Sequence, residues 1–89
     1  MDRRILYHRI FSKQFARLNG KIRLKFIERR DLLLNDAHHS LLENHELGHE
    51  WAGCRGINIT GDWRALFRAH PDGTIEFLAI GTHHQLYGQ

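Results

Sequence analysis

GCRGINITGDWRALFRAHPDGTIEFLAI, residues 53–80, is the stretch whose reading decides the fold, because its apolar residues recur with a period near two and turn residues break it twice. Gly53 to Thr60 reads as a strand with Cys54, Ile57 and Ile59 as its apolar members. Gly61-Asp62 is a tight turn of the kind that joins antiparallel neighbours, and Trp63 to His70 is the next strand. In Pro71-Asp72-Gly73 the proline presets the first corner of a second turn, after which Thr74 to Ile80 is mostly β-forming and alternately apolar. The expectation is an antiparallel three-strand meander.

Upstream the period lengthens. Arg3 to Phe11 alternates imperfectly, is rich in β-formers and is assigned to a strand. Ser12 suits an N-cap for a short helix, KQFARLN, that Asn19-Gly20 ends in a left-handed turn. Lys21 then opens a longer helical segment, KIRLKFIERRDLLLNDAHHSLLE, with Ile22, Phe26 and Leu33 beside Leu24, Ile27 and Leu34 on a broad apolar face. It is expected to fray near Asn35-Asp36, with His38 and His39 complementing the helix dipole. Strand, helical hairpin and meander together predict a single α+β domain over residues 1–89, with helices covering one face of an antiparallel sheet and the other face partly open. The tail GTHHQLYGQ carries no element in this reading, and Trp51 and Trp63 are assigned to the core.

Composition narrows the class. A chain of 89 residues with 42% hydrophobic content supports one core, and its apolar runs, such as Leu32 to Leu34, are far too short to span a bilayer. The opening MDRRILYHRIF has no apolar segment of the secretory kind, and Cys54 is a lone cysteine, so a soluble protein of the reducing cytoplasm is expected, with no membrane association. Charge is unevenly spread. Residues 1–30 hold ten Lys/Arg against Asp2 and Glu28, whereas beyond them only Arg55, Arg64 and Arg68 face eight acids. A basic half on a small protein suits a polyanionic partner, although a solvated helix face reads the same way.

His45-Glu46-Leu47-Gly48-His49 spells HExxH, the zinc-peptidase pattern in which two histidines one helical turn apart bind the metal and the glutamate is the base. Its context is poor. Gly48 weakens the required helix by about 1 kcal/mol relative to alanine, charged Glu43 and Glu50 flank the motif, and Arg55 stands where an extended zinc motif has its third histidine. His70, His83 and His84 are the other possible ligands, and a chance match in a chain with eight histidines is unsurprising.

The order NHELxxxWxGxR at 44–55, INITGDW at 57–63 with Phe67 four residues after its tryptophan, and GTHHQLY at 81–87 resembles the RelE/ParE superfamily of bacterial toxins, and within it the YafQ branch. That resemblance implies a RelE-like fold and a metal-independent endoribonuclease that needs no cofactor, cuts messenger RNA on the ribosome and is held inactive by a cognate antitoxin. By the same resemblance His45, Asp62 and His83 fall on catalytic positions. Histidines suit the base and acid roles because their pKa lies near neutrality. Asn58 occupies a position where the branch often has a histidine; asparagine donates hydrogen bonds but exchanges no proton near neutral pH. Tyr87 falls on a C-terminal aromatic suited to stacking on a base. Arg55 is read as a contact to the scissile phosphate or as the partner of an acid such as Glu50, and Asp62 as an active-site group or a turn former. An antitoxin for so basic a surface is expected to present an acidic segment. The ParE branch shares the fold while inhibiting DNA gyrase, so a binding toxin without nuclease activity is the alternative, with the zinc peptidase behind it.

Overall fold

A computed structural model describes residues 4–88. The meander is present as β3 (Arg55–Thr60), β4 (Trp63–Ala69) and β5 (Ile75–Thr82), antiparallel throughout. Gly61 and Gly73, at φ 51° and 92°, supply the left-handed residues that the two connecting turns need. Two short strands complete a five-stranded sheet in the order β1-β5-β4-β3-β2. β1 (Ile5–Tyr7) runs parallel to β5 on one edge, and β2 (His45–Glu46) runs antiparallel to β3 on the other. The sequence carried no sign of β2, because a strand this short is defined by its partner and not by its own periodicity.

The first strand is shorter than the run from Arg3 to Phe11 suggests, and Arg3 itself lies outside the described residues. α1 (Arg9–Ala16) begins at His8, whose Nδ1 accepts from the Ile10 N–H at 3.1 Å, so His8 and not Ser12 is the N-cap. Packing decides this boundary. A helix puts Phe11 and Phe15 on one face, where Phe11 meets Phe26 and Phe77 at ring-centroid distances of 5.1 and 5.6 Å. Asn19-Gly20 likewise starts a helix where a helix end was expected. Asn19 Oδ1 accepts from the Ile22 N–H at 3.0 Å and opens α2 (Gly20–Asn35). α2 stops where fraying was expected, and His39 instead caps a 3-10 turn over Ser40–Leu42 through its Nδ1.

α1 and α2 cover one face of the sheet. Phe11, Phe26, Leu33, Leu42, Ile57, Ile59, Phe67, Phe77 and Ile80 form the buried core there, with Trp63 packed against it. The opposite face is partly covered by a third helix, α3 (His83–Tyr87), where the sequence had suggested an unstructured tail. Its Leu86 packs with Leu66 and Ala79, flanked by Leu47, Trp51 and Tyr87. Five residues are too few for a helix to stand by propensity. α3 is held by a reciprocal cap in which Gln85 N–H donates to Thr82 Oγ1 at 3.2 Å and Thr82 N–H to Gln85 Oε1 at 2.8 Å. Trp51 Nε1 adds a bond to the Leu86 carbonyl at 3.3 Å. Among the described residues no helix is long and apolar enough to cross a membrane.

Candidate functional site

Antiparallel pairing sets which side chains share a face. His45 is opposite Gly56, Gly56 opposite Leu66, and Asn58 opposite Arg64, so His45, Asn58, Arg64 and Leu66 all belong to the face that α3 partly covers. Between β2, the loop after it and α3 lies an open cavity of about 520 Å³ lined by His45, Leu47, His49, Trp51, His83 and Tyr87. His45 and His83, remote in sequence, thus line one cavity, and Tyr87 lines it with them.

Each of the three has a distinct setting. His45 Nδ1 lies 2.7 Å from the Glu43 carbonyl, which can only accept, so the proton of the neutral ring sits on Nδ1 and Nε2 is left as an acceptor. Glu43 makes this contact from a left-handed backbone at φ 47°. His83 is the first residue of α3, and its backbone N–H donates to the Asp62 carbonyl at 3.0 Å. The His83 ring packs edge to face on Tyr87, with centroids 4.6 Å apart. The Tyr87 hydroxyl is buried and finds no hydrogen-bond partner among the described residues. Gly56 makes room for it: a Cβ there would sit 3.4 Å from that oxygen. Burial pushes the Tyr87 phenol above its ordinary value, with the Arg64 charge opposing the shift, so the group stays a neutral donor at physiological pH.

Asp62 is an exposed turn residue whose carbonyl anchors the start of α3. Asn58 lies two residues along β3 from Gly56, and its Oδ1 accepts from Arg64 Nη1 at 2.8 Å. Arg55 is not among the cavity's lining residues. Alternation along β3 turns it to the side of Ile57 and Ile59, where its Nε donates to Asn44 Oδ1 at 2.8 Å and its Nη1 lies 3.5 Å from Glu46. The acid beside it is therefore Glu46 and not Glu50, and it lines a neighbouring cleft with Glu46 and Cys54.

HExxH takes no helix here. His45 is in β2, and His49 opens a 3-10 turn (His49–Trp51) at φ 55°, so the two rings are not presented one turn apart on a helical face. Among the described residues no group of three or more His, Cys, Asp or Glu side chains is placed to hold a metal ion. Sequence reasoning assigned Trp51 to the core, whereas its half-buried indole lines this cavity and holds α3, and it passed over Arg64. Alternation along β4, which turns Ala65 and Phe67 into the core, is the signal that places Arg64 and Leu66 on the other face.

Comparison with known proteins agrees with this fold. YafQ from E. coli superposes with a TM-score of 0.81 at 25% identity, over 98% of this chain and 100% of that one. The same protein in the E. coli DinJ–YafQ complex gives 0.77 at 27% identity, over 98% and 100%. An archaeal RelE–RelB complex from Pyrococcus horikoshii shares the fold, with a TM-score of 0.73 at 21% identity over 92% and 96% of the two chains. No curated protein sequence matches the chain significantly. Residues 3–88 match the family described as "Bacterial toxin of type II toxin-antitoxin system, YafQ", and the chain belongs to that family.

Proposed function

We propose that this toxin is an endoribonuclease that cuts messenger RNA in the cytoplasm, on the ribosome, without a metal or other cofactor. The observation that carries this reading is the shared cavity, in which an imidazole with a free Nε2 acceptor, a second imidazole and the aromatic ring of Tyr87 line one space. His45 Nε2 takes the proton of a ribose 2′-hydroxyl, whose oxygen attacks the adjacent phosphorus. The bond to the 5′-oxygen breaks as His83 protonates that oxygen, leaving a 2′,3′-cyclic phosphate and a 5′-hydroxyl. Asp62 orients His83 by anchoring the first residue of α3. The Tyr87 ring stacks on a base within the cavity, Asn58 donates through its amide on the same sheet face, and Arg55 carries charge for the flanking chain from the neighbouring cleft.

A cognate antitoxin completes the system. The groove between α1 and α2, about 500 Å³ in volume, presents Phe11, Phe15 and Ile27 between Arg23 and Arg30, which suits a segment that is apolar on one side and acidic on the other. The DinJ–YafQ complex provides the precedent of a toxin of this fold held by a partner.

The test is cleavage of RNA by purified protein in excess chelator. Wild type is expected to cut and to leave cyclic phosphate ends, and His83→Ala to lose about 10²–10⁴-fold in rate, the span of general acid–base catalysis. Activity abolished by the chelator would overturn the reading. So would growth arrest that survives His45→Ala and His83→Ala together with messenger RNA intact, which would mark a non-nuclease toxin.

A further inference from the structure

We propose that Glu50 reads the base of the nucleotide that enters the histidine cavity and selects guanine; this rests on the RNA reading above and names the base that the site prefers. His49, Glu50 and Trp51, the three residues of the 3-10 turn, all line that cavity. Their backbone is fixed. The Trp51 N–H donates to the Gly48 carbonyl at 3.1 Å, the Ala52 N–H to the His49 carbonyl at 3.1 Å and the Cys54 N–H to the Trp51 carbonyl at 3.0 Å. His49 is held at φ 55°, a left-handed conformation that a residue with a Cβ adopts only where its surroundings enforce it. The turn thus presents Glu50 to the cavity from a rigid support.

The carboxylate of Glu50 is bare. The sequence offered it Arg55 as a partner, but Arg55 stands beside Glu46, and Glu50 makes no ion pair or side-chain hydrogen bond among the described residues. No Lys or Arg lines the cavity to offset its charge. A carboxylate only accepts hydrogen bonds and repels a phosphate, so what it suits in an RNA chain is an N–H donor on a base edge. Guanine sets two such donors side by side on its Watson–Crick edge, N1–H and the N2 amino group, matching the two carboxylate oxygens. Adenine and cytosine offer one amino group beside a ring-nitrogen acceptor, and uracil one N–H between two carbonyls. Each of those three edges turns an acceptor toward Glu50.

The aromatic residues of the same cavity supply the setting in which that difference counts. Trp51 is half-buried and tied at one edge, its Nε1 donating to the Leu86 carbonyl at 3.3 Å, while Tyr87 is packed against the His83 ring. Both rings rest on the cluster of Leu66, Ala79 and Leu86. A base held against them is stacked and largely withdrawn from water. A hydrogen bond made there by its edge is stronger than in bulk water, and a wrong edge leaves a carboxylate oxygen desolvated without a partner. Selectivity of this kind comes from rejecting the mismatched base as much as from holding the right one.

The probes are two 2′-O-methyl uridine pentamers, uncleavable for want of the attacking hydroxyl, one with a central guanosine and the other with inosine, which lacks only the N2 amino group. Each is titrated into the protein while the Trp51 Nε1–H resonance is followed, so that affinity is read at the cavity itself. Wild type is expected to bind the guanosine oligonucleotide about 10–150-fold more tightly, the range of one hydrogen bond to a charged group. Glu50→Ala is expected to bring the two affinities together, and Glu50→Gln, with one acceptor in place of two, to keep only part of the preference. Equal wild-type affinities, a preference undiminished in Glu50→Ala, or a Trp51 resonance that neither oligonucleotide moves overturns the proposal. Cleavage of the matching unmethylated pair is the second readout. The guanosine-to-inosine ratio of kcat/KM is expected to fall in Glu50→Gln, whereas an equal loss on both substrates would make Glu50 a charge acting on the histidines and overturn its role as reader. A protein that prefers guanosine but cuts neither substrate would leave this proposal standing and overturn the cleavage reading.

Discussion

Gly81→Ala tests whether the third helix, and with it His83 and Tyr87, is positioned by its cap. A Cβ at Gly81 would fall 2.9 Å from Gln85 Oε1 and 3.3 Å from Gln85 Cβ. The first distance is untenable, so Gln85 must swing away and abandon the 2.8 Å bond it accepts from the Thr82 N–H. A net hydrogen bond is worth about 1 kcal/mol, and crowding the helix against the strand adds about 1–3 kcal/mol. Against this, replacing glycine at an ordinary φ stabilises by about 0.4–1 kcal/mol through the unfolded chain. The clash outweighs the entropy term, and a net loss of about 1–3.5 kcal/mol in urea unfolding is expected. Gln85→Ala removes Oε1 in advance, so Gly81→Ala in that background is expected to cost about 1 kcal/mol less than alone. Additivity of the two substitutions to within about 0.5 kcal/mol would refute the reasoning, since it would mean that the two residues do not meet.

Other outcomes follow from the same structure. Tyr87→Phe deletes a buried hydroxyl with no partner and keeps the ring that lines the cavity, so stability is expected to hold or rise by up to about 1 kcal/mol with RNA cleavage retained; a destabilised protein in thermal unfolding would show that the hydroxyl is bonded. Phe26→Ala opens the aromatic cluster of Phe11, Phe15 and Phe77 and is expected to cost about 3–5 kcal/mol, measured by urea unfolding. Asp72 is held below its ordinary value of 3.8 chiefly by the Thr74 backbone N–H, which donates to it at 2.8 Å. A depressed folded value means stabilisation that is present above the unfolded value and lost as pH falls through the folded one. The melting-temperature gap between wild type and Asp72→Ala is thus expected to stay level from pH 7 to about 4 and narrow below it.

Legibility in the sequence varied with how local the determining interactions are. β3, β4 and β5 were readable almost to the residue, because alternation and the turn glycines at 61 and 73 are written within each segment. The start of α1 was misread because Phe11 fits a strand by propensity, and only its meeting with Phe26 and Phe77 makes the helix the better choice. Asn19 was given the right residue type and the wrong helix: the side chain that suits a C-terminal turn equally suits the N-cap it forms with Ile22.

The candidate site divides the same way. The resemblance, carried by motif order, marked His45, Asp62, His83 and Tyr87 as candidates and flagged Asn58 as a position without an imidazole. Only the tertiary structure put His45 and His83 on one cavity, because β2 exists through its pairing with β3, and α3 through its cap and its packing on Leu66 and Ala79. It also parted Arg55 from Arg64. Both are arginines on neighbouring strands, but the pleat turns the first toward Asn44 and Glu46 and the second toward Asn58. Alternation within a strand fixes which residues share a face, but which face meets the helices and which the cavity is set by contacts between residues far apart in the chain, and no local pattern assigns that.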